Sequence, residues 1–423
     1  MTSRSLADWL AYIEQQHPRS IELGLDRVRA VAQRMELGRP AHRVITVAGT
    51  NGKGSTIAFI EAIARAAGWR VGAYTSPHVL SYNERLRIDG SDANDADLGA
   101  GFEAVESSRG DVALTYFEFG TLAALWLMQR AGLDLALLEV GLGGRLDAVN
   151  LIDADVAVVT TVDLDHQDWL GNDRETIGFE KAGIARAEKP LVVGDDDPPA
   201  SVLSRAYAIG APAIRAGCDF FFEQTSSDSW RWRELDYSLD LPLPGLAAPV
   251  QLRNAAIAIA ALRALGEDIP RAALADGVAH ATISARLQRF ELDGVDVWVD
   301  VAHNPQAAQA LSGWLRKTPV SGMTLAVFAA LGDKDIAGLV TALEADVDRW
   351  FLAALQTAGP RALSLADFRQ QVQDTAAAQA EPFDTVSEAI QAARQCAQRG
   401  DRLLVFGSFH TAAAALRLLQ AVG

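Results

Sequence analysis

The sequence predicts an α/β protein of two domains, each built on an open parallel sheet, with a small antiparallel subsheet in the first. Three observations carry this. Short aliphatic or β-branched runs alternate with helical stretches, and continuous apolar strands of that kind belong to parallel sheets covered on both faces. A segment of period-2 alternation interrupts the series once, after which it begins again. The chain has 423 residues, more than one hydrophobic core usually organises.

The elements follow in order. Residues 1–17 read as an amphipathic helix with Leu6, Trp9, Leu10 and Ile13 on one stripe, without the uninterrupted apolar run of a signal peptide. Val44-Ile45-Thr46-Val47 is a strand, the glycine loop 49–54 follows, and a helix covers 55–67, which makes a βα unit. Further buried strands are predicted at 70–75, 134–140, 155–162 and 190–193. Between 219 and 240, Phe220-Phe221-Phe222 and the alternation Trp230-Arg231-Trp232-Arg233 predict a small β-meander. Trp230 and Trp232 share one face there, either as the core of the subsheet or as a surface on which a ligand stacks. Residues 253–265 form an alanine-rich helix. The second series has strands at 295–301, 324–329, 350–354 and 402–407, expected as an open parallel sheet. The boundary falls at 285–292, giving domains 1–288 and 289–423. No repeat at a solenoid or propeller period and no low-complexity tract is present.

Composition narrows the partners. Hydrophobic residues are 49% and charged residues 22%, the usage of ordinary folded enzymes. The 54 acidic against 38 basic residues give a net charge of -16, which argues against an extended surface for nucleic acid or anionic lipid. Anionic ligands would then depend on a local basic pocket and on metal ions. Two cysteines, Cys218 and Cys396, are too few for a disulfide framework or zinc cluster and point to a reducing cytoplasm. The alanine-rich segments are broken by Arg, Gln or Glu before the roughly 20 apolar residues a membrane span requires.

Gly49-Thr50-Asn51-Gly52-Lys53-Gly54-Ser55 lies where a strand ends and a helix begins. Backbone N–H groups and a helix N-terminus cradle phosphate oxygens at such a place, the glycines allow close approach, and Lys53 supplies charge. The loop departs from the strict Walker pattern, since Gly54 separates the lysine from Ser55 and Val47 stands where the first glycine would. A glycine-rich packing turn is the bland alternative. By itself the loop indicates a nucleotide and leaves the reaction open.

Further motifs follow in order: Thr75-Ser76-Pro77-His78, Asn83-Glu84-Arg85, Thr115-Tyr116-Phe117-Glu118, Glu139-Val140-Gly141-Leu142-Gly143-Gly144-Arg145-Leu146-Asp147, Asp165-His166, residues 178–184, Asn254-Ala255-Ala256, Arg286-Leu287-Gln288, Asp300-Val301-Ala302-His303-Asn304-Pro305, Gly332-Asp333-Lys334-Asp335 and Gly407-Ser408-Phe409-His410. With the variant loop, this series resembles the bifunctional folylpolyglutamate synthase and dihydrofolate synthase family, itself related to the Mur ligases, over nearly the whole chain. Two departures stand out: Leu252-Arg253 precedes Asn254 where relatives often carry a histidine, and one residue is inserted between Arg286 and Asp300.

The resemblance implies an N-terminal P-loop-type ATPase domain, a smaller Rossmann-like C-terminal domain, and an active site in a cleft that closes in each cycle. It implies ATP- and magnesium-dependent joining of L-glutamate to dihydropteroate and to reduced folates through an acyl phosphate, with a monofunctional folylpolyglutamate synthase as the alternative. Thr50, Asn51, Gly52, Lys53, Gly54 and Ser55 would then hold phosphates, Asn254 adenine, Arg286 the phosphates and Asp300 the ribose. Ser76, Glu139 and His166 would hold one of two magnesium ions. His166 read alone is a core or capping histidine. Lys181, a helix-surface lysine on composition, would be carbamylated by CO2 and position the second metal. Ile21, Leu23 and Gly24, the Thr115-Tyr116-Phe117-Glu118 string and Leu146-Asp147-Ala148 would recognise the pterin. Asp147 can accept from a pterin amino group and ring N–H, or act as a plain N-cap. His303, with Asn304 and Ser408, would shape the glutamate pocket and take part in catalysis with Lys53, Lys181 and Asp300. The family implies a monomer.

Two rival readings are expected to fail. A Mur-type ligase acting on a UDP-sugar peptide would need a UDP-binding domain of roughly one hundred residues before the loop, and the loop begins at Gly49. A non-catalytic nucleotide switch would not need Lys53, Glu139, His166, Lys181, Arg286 and Asp300 together.

Overall fold

The computed structural model describes residues 4–355 and 359–422. The chain divides into two compact units, Met1–Gly245 with Gln251–Thr282, and Leu246–Val250 with Ile283–Gly423.

Unit one is organised by an eight-stranded sheet. Its strands are β1 (Arg43–Ala48), β2 (Val71–Tyr74), β3 (Leu86–Ile88), β4 (Ser91–Asp92), β5 (Leu135–Glu139), β6 (Val156–Val159), β7 (Leu191–Val193) and β8 (Ala213–Arg215), in the order β4-β3-β2-β5-β1-β6-β7-β8. From β2 to β8 every pair is parallel. The central strands are buried on both faces, β5 and β6 over their whole lengths, as aliphatic side chains on a helix-covered sheet should be. The first helix runs Leu6–Glu14 and buries Trp9 and Ile13; residues 1–3 of the predicted stretch lie outside the described residues.

A second sheet of three antiparallel strands, β9 (Phe221–Gln224), β10 (Ser229–Glu234) and β11 (Tyr237–Pro242), forms the predicted meander. Its tryptophans are core. Trp230 and Trp232 are fully buried, and Trp232 stacks on Phe220 with ring centroids 6.0 Å apart. Their indole N–H groups donate to Pro242 O at 2.9 Å and Ala256 O at 3.1 Å, so neither ring has a polar edge left for a ligand.

Unit two holds the six-stranded sheet β12 (Gln288–Leu292), β13 (Val295–Val299), β14 (Thr324–Phe328), β15 (Arg349–Ala353), β16 (Glu381–Phe383) and β17 (Arg402–Phe406), ordered β12-β13-β17-β14-β15-β16. Its core includes Leu311, Trp314, Phe328, Leu339, Phe368 and Phe406.

The expectation of wholly parallel main sheets needs correction. β3 pairs antiparallel with β2 and β4, and β12 pairs antiparallel with β13. Both hairpins turn on Asp-Gly, with Asp89 and Gly90 at φ 53° and 77° and Asp293 and Gly294 at 52° and 81°. Two successive left-handed residues make the tight turn that suits twisted antiparallel strands. The short edge strands β8 and β16 were also not foreseen, being three residues each.

The Lys53–Ala66 helix that follows the glycine loop is fixed from outside by the Arg271–His280 helix. At their contact a Cβ built on Gly277 would lie 2.4 Å from the Ile63 Cα, a backbone atom that cannot rotate away. Gly277→Ala must therefore separate the two helices, and overpacking of this kind costs about 1–3 kcal/mol. We expect a lower urea midpoint for unit one with β10 fluorescence from Trp230 and Trp232 as the reporter; an unchanged midpoint would show that the contact yields freely.

Candidate active site

The glycine loop joins β1 to the Lys53–Ala66 helix, and the strand after it in space, β6, holds it shut. Thr50 N–H donates to Thr161 O at 2.8 Å and Asn51 N–H to Thr161 Oγ1 at 3.1 Å. In return Thr160 Oγ1 donates to Asn51 O at 2.6 Å, and Thr50 Oγ1 exchanges hydrogen bonds with the Asp163 backbone. Gly49 is irreplaceable, because a Cβ there would lie 1.8 Å from Thr160 Oγ1. Gly52 caps the helix at φ 89°, and a Cβ on it would lie 2.6 Å from Asn254 Oδ1. Asn254 thus sits against the loop, its amide Nδ2 donating to buried Gln251 at 2.9 Å. Lys53 Nζ donates to the carbonyls of Gly49 and Thr50 at 3.0 and 3.3 Å. The cation is held over the loop from which a phosphate would draw it. Gly54 and Ser55 form the first helical turn, with Ser55 buried.

Register places the remaining groups. β1 lies between β5 and β6, with Val47 opposite Glu139 on one side and Val158 on the other. Glu139 therefore ends its strand beside the loop, at the carboxyl edge where open α/β sheets bind ligands. It is buried and accepts the Ser76 N–H at 3.0 Å. His166 stands in the left-handed region at φ 51°, at the start of the Gln167–Leu170 turn of helix. Its N–H donates to Asp165 Oδ1 at 2.9 Å, and its Nε2 lies 3.9 Å from Asp165 Oδ2. Of the set expected at a metal, the structure joins Ser76 to Glu139 and sets His166 against Asp165. Among the described residues no group of three or more His, Cys, Asp and Glu side chains is gathered as a metal centre. The hydroxyl, the buried carboxylate and the imidazole are nonetheless donors a hard divalent ion accepts when water completes its shell.

Lys181 is 4% exposed, near the end of the Arg174–Ala182 helix. Burial first, then repulsion from Lys53, pushes its amine down to about 7, against the opposing pull of Asp165. Asp147 is equally buried and moves the other way. Burial raises its carboxyl to about 7, offset by N–H donors and by Lys53. Lys53 is thus the common electrostatic neighbour of both. Asp147 caps the Ala148–Leu151 turn, accepting from Leu142 N–H at 2.8 Å and Val149 N–H at 3.0 Å. The capping role anticipated as an alternative is therefore present. One lone pair on each oxygen is used in this way.

The segments expected at the pterin lie side by side. Gly24 N–H donates to Leu146 O at 3.2 Å, tying the Ile21–Leu23–Gly24 stretch to the Leu146–Ala148 stretch. Thr115 and Glu118 form a capping box at the start of the Tyr116–Arg130 helix, and Glu118 also takes an ion pair from Arg27 at 2.8 Å. Their side chains are occupied in holding the helix. Tyr116 and Phe117 are the ring-bearing members. Phe117 lies against Gly141, where a Cβ would meet its ring at 2.7 Å, and 6.0 Å from Tyr74. Burial holds the Tyr116 hydroxyl up at about 12.

In unit two, Arg286 is displayed between Ala285 at φ 56° and Leu287 at φ 45°, both buried. Left-handed backbone at an L-residue costs roughly 1–2 kcal/mol each, so the turn must be held. Asp300 holds it by accepting from Leu287 N–H at 2.8 Å and Ala302 N–H at 2.7 Å. Gln288 Oε1 accepts Ala285 N–H at 3.0 Å. Burial raises the Asp300 carboxyl, opposed first by Arg286. The Arg286 guanidinium lies 5.4 Å from the Phe409 ring, and that ring lies 6.1 Å from His303. His303 Nδ1 bonds Val301 O at 3.0 Å. Asn304 caps the Pro305–Lys317 helix, and Ser408 bonds Thr411 at 2.7 Å. Arg286, Asp300, His303 and Ser408 thus gather at the carboxyl ends of β13 and β17.

Sequence reading passed over the groups that hold these residues: Thr160 and Thr161 on the loop, Asp165 near Lys181, Gln251 behind Asn254 and Gln288 behind Arg286. The two threonines directly after β6 were visible as a hydroxyl pair, Asp165 and Gln288 stood within the motif series without an assigned role, and Gln251 carries no local signal.

Comparison with known proteins accounts for this arrangement. Residues 47–262 match the Mur ligase middle domain, and residues 285–409 match the Mur ligase, glutamate ligase domain. The dihydrofolate synthase/folylpolyglutamate synthase of Escherichia coli K12 is 46% identical over 98% of this chain and 96% of its own length. That of Haemophilus influenzae is 40% identical over 96% of each. A solved structure of E. coli FolC in complex with DHPP and ADP superposes with a TM-score of 0.94 at 45% identity, over 99% of both chains. A Yersinia pestis bifunctional folylpolyglutamate synthase/dihydrofolate synthase, solved with AMPPNP and Mn, gives 0.92 at 44% identity over 99% of this chain and 98% of that one. The sheet order, the variant phosphate loop and the matches along nearly the whole length agree: the chain belongs to the bifunctional dihydrofolate synthase/folylpolyglutamate synthase family of Mur-type ligases.

Proposed function

We propose that this enzyme joins L-glutamate to 7,8-dihydropteroate and to reduced folates, using ATP to activate the acceptor carboxylate as an acyl phosphate. The observation that carries the reading is that the loop lysine Lys53 lies within electrostatic reach of both buried Asp147 and buried Lys181, and Lys181 within reach of Asp165. A phosphate-binding loop alone would serve any nucleotide. A buried amine and a buried carboxyl that both feel the loop lysine suit a carboxylate being phosphorylated.

Lys53 releases the Gly49 and Thr50 carbonyls and takes phosphate oxygens, while loop N–H groups receive the rest. Thr50, Asn51, Gly52, Gly54 and Ser55 form this cradle and Asn254 contacts adenine beside it. Asp147 accepts from the pterin with the lone pairs its cap leaves, and Ile21, Leu23, Gly24, Tyr116, Phe117, Leu146 and Ala148 form the walls, braced by the Thr115–Glu118 box. In unit two, Arg286 meets phosphate, Asp300 meets ribose through its remaining lone pairs, and His303 with Asn304 and Ser408 orients glutamate so that its amine attacks the acyl phosphate. A divalent ion at Ser76, Glu139 and His166 supplies neutralisation of charge on the transferring phosphoryl group.

Lys181 would react with CO2 as the free amine, forming an N–C bond and releasing a proton, and the carbamate would offer carboxylate oxygens to a second ion. Its pKa of about 7 leaves the amine about half neutral at pH 7, against roughly one part in three thousand for an ordinary lysine. The enzyme works as a monomer in the cytoplasm, where a reducing setting suits its free cysteines.

ATP consumption by the pure protein should require glutamate together with dihydropteroate or, separately, a reduced folate monoglutamate. Consumption without an acceptor would sink the ligase reading, and activity with the second acceptor alone would restrict it to chain extension. His303→Ala should lower kcat at least about 100-fold while ADP affinity changes less than about threefold; unchanged turnover would remove His303 from the site.

Lys181→Ala should lose turnover and regain part of it with added short carboxylic acids, which restore the missing negative group. No regain at any concentration would argue against the carbamate. A second test uses stability in CO2-free buffer. The folded-state pKa is depressed, so the penalty for burying the ammonium is full below about pH 7 and fades as pH rises toward the ordinary lysine value. Lys181→Met should therefore be more stable than the parent at pH 6.5, with the advantage shrinking by on the order of 1–2 kcal/mol by pH 8.5. A pH-independent difference would contradict this titration.

A further inference from the structure

Away from the residues assigned above to nucleotide, metal and pterin, unit one holds a cavity of about 410 Å³. Four arginines line it, Arg29, Arg145, Arg186 and Arg205, against a single acid, Asp153. In a chain of net charge -16 such a concentration of cations is out of keeping with the rest of the surface. The arginines arrive from separate elements: the Asp26–Arg34 helix, the loop after β5, the segment after the Arg174–Ala182 helix, and the Ala200–Ala208 helix.

They differ in how far they are already used. Arg186 is a fixed wall, paired with Asp153 and donating to carbonyls of Asn150 and Ile184. Arg145 is steered by Glu180 at 2.8 Å. Arg29 has, among the described residues, only Asp26 at 3.8 Å, with both side chains mostly exposed, and a pair of that kind contributes little. Arg205, half-buried at the rim, forms no ion pair among the described residues. Asp153 is spent on Arg186, so Arg205 borders the space with no ion pair among the described residues and Arg29 with only its long, exposed contact to Asp26.

We propose that this cavity binds a small multivalent oxyanion. Guanidinium presents paired N–H groups in a planar fork that fits carboxylate and phosphate bidentately, and several forks converging from different elements select for more than one such group. The volume falls within the range of small-molecule sites, while Leu25 and Ile209 supply apolar wall. Both sources of such an anion, phosphate and carboxylate, share this chemistry. The position also gives the ligand a consequence. Leu25 and Arg145 are the chain neighbours of Gly24 and Leu146, whose hydrogen bond joins two walls of the neighbouring site. An anion bridging Arg29 and Arg145 braces that junction. The binding claim is independent of the folate reading.

The test uses the full chain with saturating ADP and magnesium, so that the phosphate loop is filled. Pyrophosphate and tri-γ-glutamate are titrated calorimetrically into the parent and into the Arg29→Ala/Arg205→Ala double variant, with ADP affinity confirming that the variant is folded. At least one probe should bind the parent and bind the double variant at least about fivefold more weakly, about 1 kcal/mol. The probe that loses affinity identifies phosphate or carboxylate as the source. If neither probe binds the parent, or if both bind the two proteins within less than fivefold of each other, the proposal is wrong.

Discussion

The site in unit one depends on the parallel register of β1 between β5 and β6. Because Val47 stands opposite both Glu139 and Val158, the loop leaving β1, the carboxylate ending β5 and the threonines following β6 all emerge at one edge. Everything else is attached to that edge. Thr160 and Thr161 consume the loop's Asn51 carbonyl and amide, and the Lys53–Ala66 helix is pinned by the backbone contact at Gly277. A slip of the register by one residue would turn Glu139 to the opposite face and dissolve the constellation without changing its composition.

Charge at that edge is governed by burial more than by pairing. Lys181 and Asp147 are both enclosed, and both titrate at about 7, one displaced down and the other up. The low-dielectric setting penalises whichever form is charged, so two residues of opposite kind become readily interconverted near neutrality. Lys53 adds a cation to both environments, favouring carboxylate at Asp147 and free amine at Lys181. A site that must receive anionic substrates in a protein of net charge -16 gains local positive character from this arrangement, because the carboxyl is held near neutral while Lys53 stays at hand.

Much of this was legible in the sequence, and what was missed has a physical cause. The buried strands were read to within a few residues because an apolar run too short for a helix can bury both its faces only in a covered sheet. Of the two readings open for the Trp230–Trp232 face, full burial and saturated indole N–H groups select the core. The antiparallel edges were missed although Asp89-Gly90 and Asp293-Gly294 announce tight hairpins; β3 and β4 are too short to show alternation, whereas β12 and β13 alternate over five residues each and the signal was there to read. Individual site residues came from an ordered set of motifs that locates residues and leaves their partners unstated. Thr160 and Asp165 act on groups distant in the chain, which no spacing encodes, whereas Gln251 and Gln288 act on groups three residues away, an offset too common to mark a role by itself.

The same distinction alters how Asp147, Glu118 and Asp300 should be understood. Each was singled out for a ligand, and each is found accepting backbone N–H groups: Asp147 at a cap, Glu118 in a capping box, Asp300 across the Arg286 turn. These roles do not compete with recognition. A carboxylate fixed by N–H donors keeps further lone pairs in a defined direction, and at Asp147 and Asp300 those donors also oppose the rise that burial imposes. Asp300 goes further, because the turn it clamps places Arg286 between two buried left-handed residues that would otherwise relax. The Asp300 carboxylate is thus the group that keeps the neighbouring Arg286 turn in position, so loss of the one would release the other.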